Sequence, residues 1–262
     1  MNMKKEKIQQ WFNYRWLAIL LLATLCAALA SVSLKLPFLL LAVILSFVGL
    51  LFAYHKWIWL VLFILSNVPT LTSTLLARSQ PFSTGKTVLF FILFLLTLGS
   101  SYYIARKNEI IPSVSWKYFS LPKTLAGFGF IFLVSILTGI FAQVTKQAPT
   151  TNNQEALNQL QTMIPIAVFA AQTLGAAFLE ELVYRVGFFE IIFKNQKYLA
   201  FIGALLLFAY MHSPSDLYSW LTYGLMSLVL TSFYAKYHNF YLNMSIHLTW
   251  NLFGLLLALL IK

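Results

Sequence analysis

The chain is a succession of apolar runs, most close to the length a lipid bilayer demands, and this narrows its possible folds more than any single residue does. Bounded by charged or turn residues, the runs fall at 16–34, 37–54, 57–77, 87–104, 124–144, 164–193, 198–211, 217–234 and 240–261. A bilayer core takes about 20 apolar residues per helix, so most of the 262 residues are spent on spanning segments. The expected fold is all-α, a polytopic transmembrane bundle of eight to nine spans. Nine is the full count, and eight results if the break at 34–37 or the short run before His212 does not separate two crossings.

Composition agrees with this, since 60% of the residues are hydrophobic and only 10% charged, a balance that excludes an ordinary water-soluble domain. The formal charge of +11 would suggest nucleic acid in a soluble protein. Here the basic residues cluster at the ends of apolar runs, where they act as topology signals, so the expected partner is the bilayer and no nucleic acid. With nine spans and a cytoplasmic N-terminus, twelve of the 18 Lys and Arg residues fall on the inner side and five on the outer, leaving Arg185 within the membrane. The basic stretch Lys4, Lys5, Lys7 and Arg15 reads as the flank of a retained first helix, because no small-residue cleavage site follows it. The one cysteine, Cys26, excludes an intramolecular disulfide and a cysteine metal cage.

The expected organisation is N-terminal transmembrane helices over 1–144, a polar extracytoplasmic loop over 145–162, and a helical core over 163–262 that carries the polar site. The mixed segment 106–123, with Trp116, Tyr118 and Phe119, suits a cytoplasmic surface loop or interfacial helix.

Within the apolar run 164–193 stand Glu180, Glu181 and Arg185. An ionisable side chain at the centre of a membrane helix costs roughly 2.5–3.5 kcal/mol on insertion scales, so such groups face protein or water and carry function. Neighbours on a helix point about 100° apart, whereas residues four apart share a face. Glu181 and Arg185 are therefore the natural ion pair, and Glu180 is left for a cavity. His212 ends the run 198–211, and His247 and Asn251 share one face of the last run. Counted from the Lys194–Lys197 turn at about 1.5 Å per residue, Glu180 and His212 each lie about 20 Å deep. His247, counted from Phe240, lies only about 10 Å deep, so tilt or a break in a helix has to bring it level.

Blander readings apply elsewhere. Glu190 near the end of its run is expected to be solvated, His55 and His238 interfacial, Phe208 and Trp250 packing residues, and Asp216 the N-cap of the helix after it.

These residues form three ordered motifs, EExxxR at Glu180–Arg185, FxxxH at Phe208–His212 and HxxxN at His247–Asn251. In order and spacing they resemble the CPBP intramembrane proteases, the family that joins type II CAAX prenyl endopeptidases with the bacterial bacteriocin-processing and self-immunity (Abi) proteins. The resemblance covers about 164–251, and no motif position departs from it. It implies an intramembrane endopeptidase in which Glu180 activates a water, His212 helps to hold it, His247 and Asn251 stabilise the oxyanion, and Glu181 and Arg185 hold the helix in place. Amide hydrolysis does need a general base and donors aimed at developing negative charge. The family is commonly described as metallo. Glu180, His212 and His247 would supply the two-histidine, one-carboxylate set of a catalytic Zn2+, while a glutamate-activated water without metal fits the same residues.

Three functions follow from different classes. The first is an endopeptidase acting on peptide or membrane-protein substrates, in bacteriocin or pheromone maturation or self-immunity, in a bacterial plasma membrane. The second is a non-catalytic membrane scaffold, such as an immunity factor or sensor-kinase regulator. The third is a proton-coupled transporter, since intramembrane Glu and His also form relays.

Overall fold

A lipid environment offers the backbone no hydrogen-bond partners, so each apolar run must satisfy its own amides, and the long runs do so as helices. The structure, a computed structural model, describes residues 15–35 and 37–260. The basic stretch before Arg15 and the terminal Lys262 lie outside the described residues. Every regular element among those described is helical: α1 (Arg15–Leu34), α2 (Phe38–Ala53), α3 (Trp57–Ala77), α4 (Thr84–Lys107), a 3-10 turn (Trp116–Tyr118), α5 (Leu121–Thr145), α6 (Asn152–Met163), α7 (Ile166–Glu180) running into a π-helix (Glu181–Ile192), α8 (Lys197–Met211), α9 (Leu217–Tyr237) and α10 (Phe240–Leu260).

The all-helical membrane fold expected from the apolar runs is present. Five segments, Trp57–Ala77, Thr84–Lys107, Trp116–Thr145, Ile166–Ile192 and Phe240–Leu260, are long and apolar enough to cross a membrane. Three more, Trp16–Val32, Phe38–Ala53 and Lys197–Met211, are apolar but shorter. Helix α9 has the length of a span, and its Ser219, Ser227 and Thr231 are fully buried rather than turned to lipid. The remaining crossings of the eight or nine expected would thus fall on short or hydroxyl-bearing helices.

The chain divides into two compact units, residues 1–61 and 62–262. In the first, α1 packs on α2, and Gly49 lets them close up: a Cβ there would lie 2.8 Å from Ile19 Cγ2. In the second, the π-helix is the centre. Helices α8, α9 and α10 pack against it, and residues 181–189 are all buried. Small residues permit this approach. Gly203 of α8 faces the Phe188 ring so closely that a Cβ would come within 2.4 Å of it.

Two expectations change. The run 164–193 is one span but not one helix type, because its second half winds as a π-helix over 12 residues, capped by the Phe193 N–H donating five residues back to the Phe188 carbonyl. Such winding is usually confined to a single turn and gathers at functional sites. The second change concerns 145–162, expected as a loop. It is helical from Asn152, with the Thr151 hydroxyl capping the Gln154 N–H at 3.1 Å. Leu157 and Leu160 of α6 pack on the apolar cluster of Phe90, Phe94, Val168 and Phe169. Residues 108–120 connect α4 to α5 through the 3-10 turn, with Ile111 buried and Trp116 89% exposed, and are tied to α10 by the Tyr241 hydroxyl donating to the Pro112 carbonyl at 2.7 Å.

Candidate active site

The two adjacent glutamates divide as their helical angles predict. Glu181 points into the protein with no exposure and accepts from three directions: Arg185 Nη1 at 3.0 Å, His247 Nδ1 at 2.8 Å and Asn243 Nδ2 at 2.5 Å. Arg185 is equally buried. Its Nη2 donates to Ser227 Oγ at 3.2 Å, and its guanidinium lies 4.2 Å above the Phe208 ring, so Phe208 is a cation–π partner as well as a packing residue. Four elements, the π-helix, α8, α9 and α10, are thereby tied to one buried ion pair. Stripped of any member, the remaining charges would be stranded in low dielectric.

Glu180 points the other way, into a cavity of about 210 Å³ whose walls come from α3, α6, α7, α8, α9 and α10. Its side chain is 25% exposed, and among the described residues it accepts no hydrogen bond. Oε2 lies 3.8 Å from His247 Nε2, and His212 and Asn251 line the same cavity. Gln172, Ala176 and Glu180 form an i, i+4, i+8 row along the cavity side of α7.

Both histidines are held by their Nδ1 atoms. His247 donates Nδ1–H to the Glu181 carboxylate, which turns its Nε2 edge toward Glu180. His212 caps α8 and folds its ring back by one turn, with Nδ1 2.7 Å from the Phe208 carbonyl oxygen. Its other face stacks on Tyr223, with ring centroids 4.3 Å apart and planes inclined by 24°. The Tyr223 hydroxyl meets Thr151 Oγ1 at 2.9 Å and accepts from Asn153 Nδ2 at 3.0 Å, so the start of α6 is fastened beside the His212 ring. Asn251 donates from Nδ2 to the Thr173 carbonyl at 2.8 Å, which fixes its amide and leaves that nitrogen one further hydrogen.

The expected mismatch in the depth of His247 is absent, and the π-helix offers a reason. A helix closed by i→i+5 bonds holds more residues per turn and advances less per residue than an α-helix. Twelve such residues between Glu180 and the Lys194 turn place Glu180 shallower than the α-helical count suggests, which brings it toward the level of His247.

Residues 162–253 match the family described as Type II CAAX prenyl endopeptidase Rce1-like. Over 257 residues, 98% of each chain, the protein is 66% identical to the UPF0177 protein YvdC of Lactococcus lactis subsp. lactis (strain IL1403). This chain belongs to the CPBP family. No solved structure matches it.

In this CPBP chain the matched segment contains all six residues singled out from the sequence, and Glu180, His212, His247 and Asn251 face one cavity while Glu181 and Arg185 stand behind it. The zinc set does not close up in this arrangement: among the described residues no three His, Cys, Asp or Glu side chains are placed to hold one metal ion. Glu190, expected to be solvated, is half-buried and accepts from the Tyr234 hydroxyl at 3.2 Å and pairs with His238 Nδ1 at 3.1 Å. Asn243, Ser227 and Tyr223 were not foreseen. Asn243 lies four residues before His247 on the same helical face, and that spacing was the available signal.

Proposed function

We propose that this protein is an intramembrane endopeptidase that hydrolyses peptide bonds of peptide or membrane-anchored substrates, with Glu180 as the general base. The observation that carries the reading is the separation of two neighbouring carboxylates. Glu181 absorbs the hydrogen bonds of Arg185, Asn243 and His247, and Glu180, partly exposed, stands unbonded in the cavity with His247 Nε2 3.8 Å away. A structural ion pair would need one glutamate, and this site has a second one to spare.

A water beside Glu180 gives up a proton to the carboxylate, and its oxygen bonds to the carbonyl carbon of the scissile peptide. His212, held through Nδ1, presents Nε2 to orient that water. The negative charge arising on the carbonyl oxygen is met by the free Asn251 N–H and by His247 when Nε2 carries a proton, donors already fixed by Thr173 and Glu181. As the C–N bond breaks, Glu180 returns its proton to the leaving nitrogen, which balances the step.

The substrate class we favour is a small secreted peptide or membrane-anchored precursor in a bacterial plasma membrane, in bacteriocin or pheromone maturation or self-immunity, with the N-terminus of the enzyme cytoplasmic. The experiment is cleavage by the full chain in proteoliposomes. Glu180→Gln is expected to lose at least about 100-fold in rate, and His212→Ala and His247→Ala a similar factor, as for a general base and its partners. Full activity in all three variants would return the protein to the scaffold class. The same assay with and without a chelator addresses the metal: unchanged turnover fits the water chemistry above, whereas loss reversed by added zinc requires Glu180, His212 and His247 to close around an ion.

A further inference from the structure

Beside the cavity holding Glu180 lies a second pocket of about 250 Å³, and the two share Gln154, Tyr223, Met226 and Trp250 as common walls. We infer that this second pocket, formed between α5, α9, α10 and the segment before α6, is a specificity subsite that receives a neutral side chain of the peptide substrate next to the bond being cleaved. The inference rests on the endopeptidase reading and adds the substrate's chemistry to it.

Three observations lead there. The first is proximity. Tyr223 stacks on the His212 ring, and Trp250 directly precedes Asn251, so the partition between the pockets is made of the immediate neighbours of two proposed catalytic groups. An extended chain advances about 3.3 Å per residue, so a peptide whose scissile carbonyl sits at Asn251 places a side chain within one or two residues at this partition. The second is charge. Every residue lining the pocket is uncharged, so a charged side chain entering it would be desolvated with no counter-charge inside the pocket. The third is mixed polarity. Ile131, Val134, Met226 and Trp250 give an apolar floor, while Ser135 and Thr150 bring hydroxyls. A lipid acyl chain would leave such hydroxyls unanswered, whereas a peptide brings amides alongside its side chain.

The test uses the full chain in proteoliposomes, a library of peptides obtained by digesting a cell lysate, and cleavage sites read by mass spectrometry. Half-buried Val134 lies on α5 away from the proposed catalytic groups, so Val134→Trp fills the pocket and Val134→Ala enlarges it. The wild type is expected to show one position near the cleaved bond enriched in neutral residues and depleted of Asp, Glu, Lys and Arg. Val134→Trp should shift that position to Gly, Ala and Ser, with kcat/KM for bulky residues falling roughly tenfold and small-residue substrates still cleaved. Val134→Ala should broaden the preference to larger side chains, and it keeps the test open if the tryptophan variant does not fold. Unchanged preferences in both variants, while Glu180→Gln is inactive, would overturn the subsite and leave the endopeptidase standing. A Val134 effect that follows the acyl-chain length of the vesicle lipids instead of the peptide sequence would overturn it in favour of a lipid site. Equal cleavage by wild type and Glu180→Gln would remove the endopeptidase reading, and the subsite with it.

Discussion

Glu181 is the residue whose surroundings explain most about its neighbours. A carboxylate without exposure is tolerated because a guanidinium, an imidazole N–H and an amide N–H converge on its two oxygens. Removing it strands Arg185, which otherwise meets a serine hydroxyl and an aromatic face. Glu181→Leu is therefore expected to cost about 3–5 kcal/mol, read as a lowered unfolding midpoint in detergent. Asn243→Leu, which removes one neutral donor, should cost about 1–3 kcal/mol. Activity separates these from Glu180, since Glu180→Gln should lose turnover while keeping the wild-type midpoint, its carboxylate having no hydrogen bond to lose among the described residues. The division between the two glutamates was legible in the sequence, because adjacent residues on any helix diverge. Ser227 and Tyr223 were not, because single Ser and Tyr residues occur throughout membrane helices and carry no spacing rule of their own, and Asn243 offered only its place one turn before His247.

At the scale of elements, the turn from α8 to α9 positions His212 and is secured at its far end by a capping box, with the Asp216 carboxylate accepting from the Ser219 N–H at 2.7 Å and Ser219 Oγ accepting from the Asp216 N–H at 3.1 Å. The expected N-cap is thus in place. The hydrogen bond from Ser219 holds the Asp216 carboxyl below its ordinary value. A lowered folded value means that the contribution to stability is complete above the unfolded value, about 3.9, and drains away as pH falls through the lower folded one. Asp216→Ala should then cost about 1 kcal/mol near neutrality, and its midpoint should converge on that of the wild type in strong acid. Helix α6 escaped the sequence reading because a search for long apolar runs passes over a polar segment. Thr151 as an N-cap and the spacing of Leu157, Leu160 and Ile164 were the signals that it held. The π-helix left no sign in composition or periodicity, since its residues fit an ordinary apolar span.

For the whole molecule, the apolar runs foretold the helices closely, with differences at the ends such as 87–104 against Thr84–Lys107. Terminal turns bring polar residues such as Arg106 and Lys107, which a hydropathy reading trims away. Sidedness has its own test, because the single cysteine allows a cysteine-free background. In a Cys26→Ala chain, a cysteine at position 107 is expected to react with an impermeant maleimide only after the membrane is opened, and one at position 78 in intact cells. The reverse pattern would invert the proposed orientation.

The wide winding between Glu181 and Ile192 also restricts how this chain can be edited. An extra residue per turn is what such a segment accommodates, so deleting a single amino acid there would tighten one turn toward ordinary α-helix and shift the side chains within it out of register with their partners, Arg185 against Glu181 among them. Insertions and deletions, harmless in a surface loop, should be rejected at 181–192 even where substitutions pass, and a deletion scan scored by growth or processing would reveal a short block without survivors.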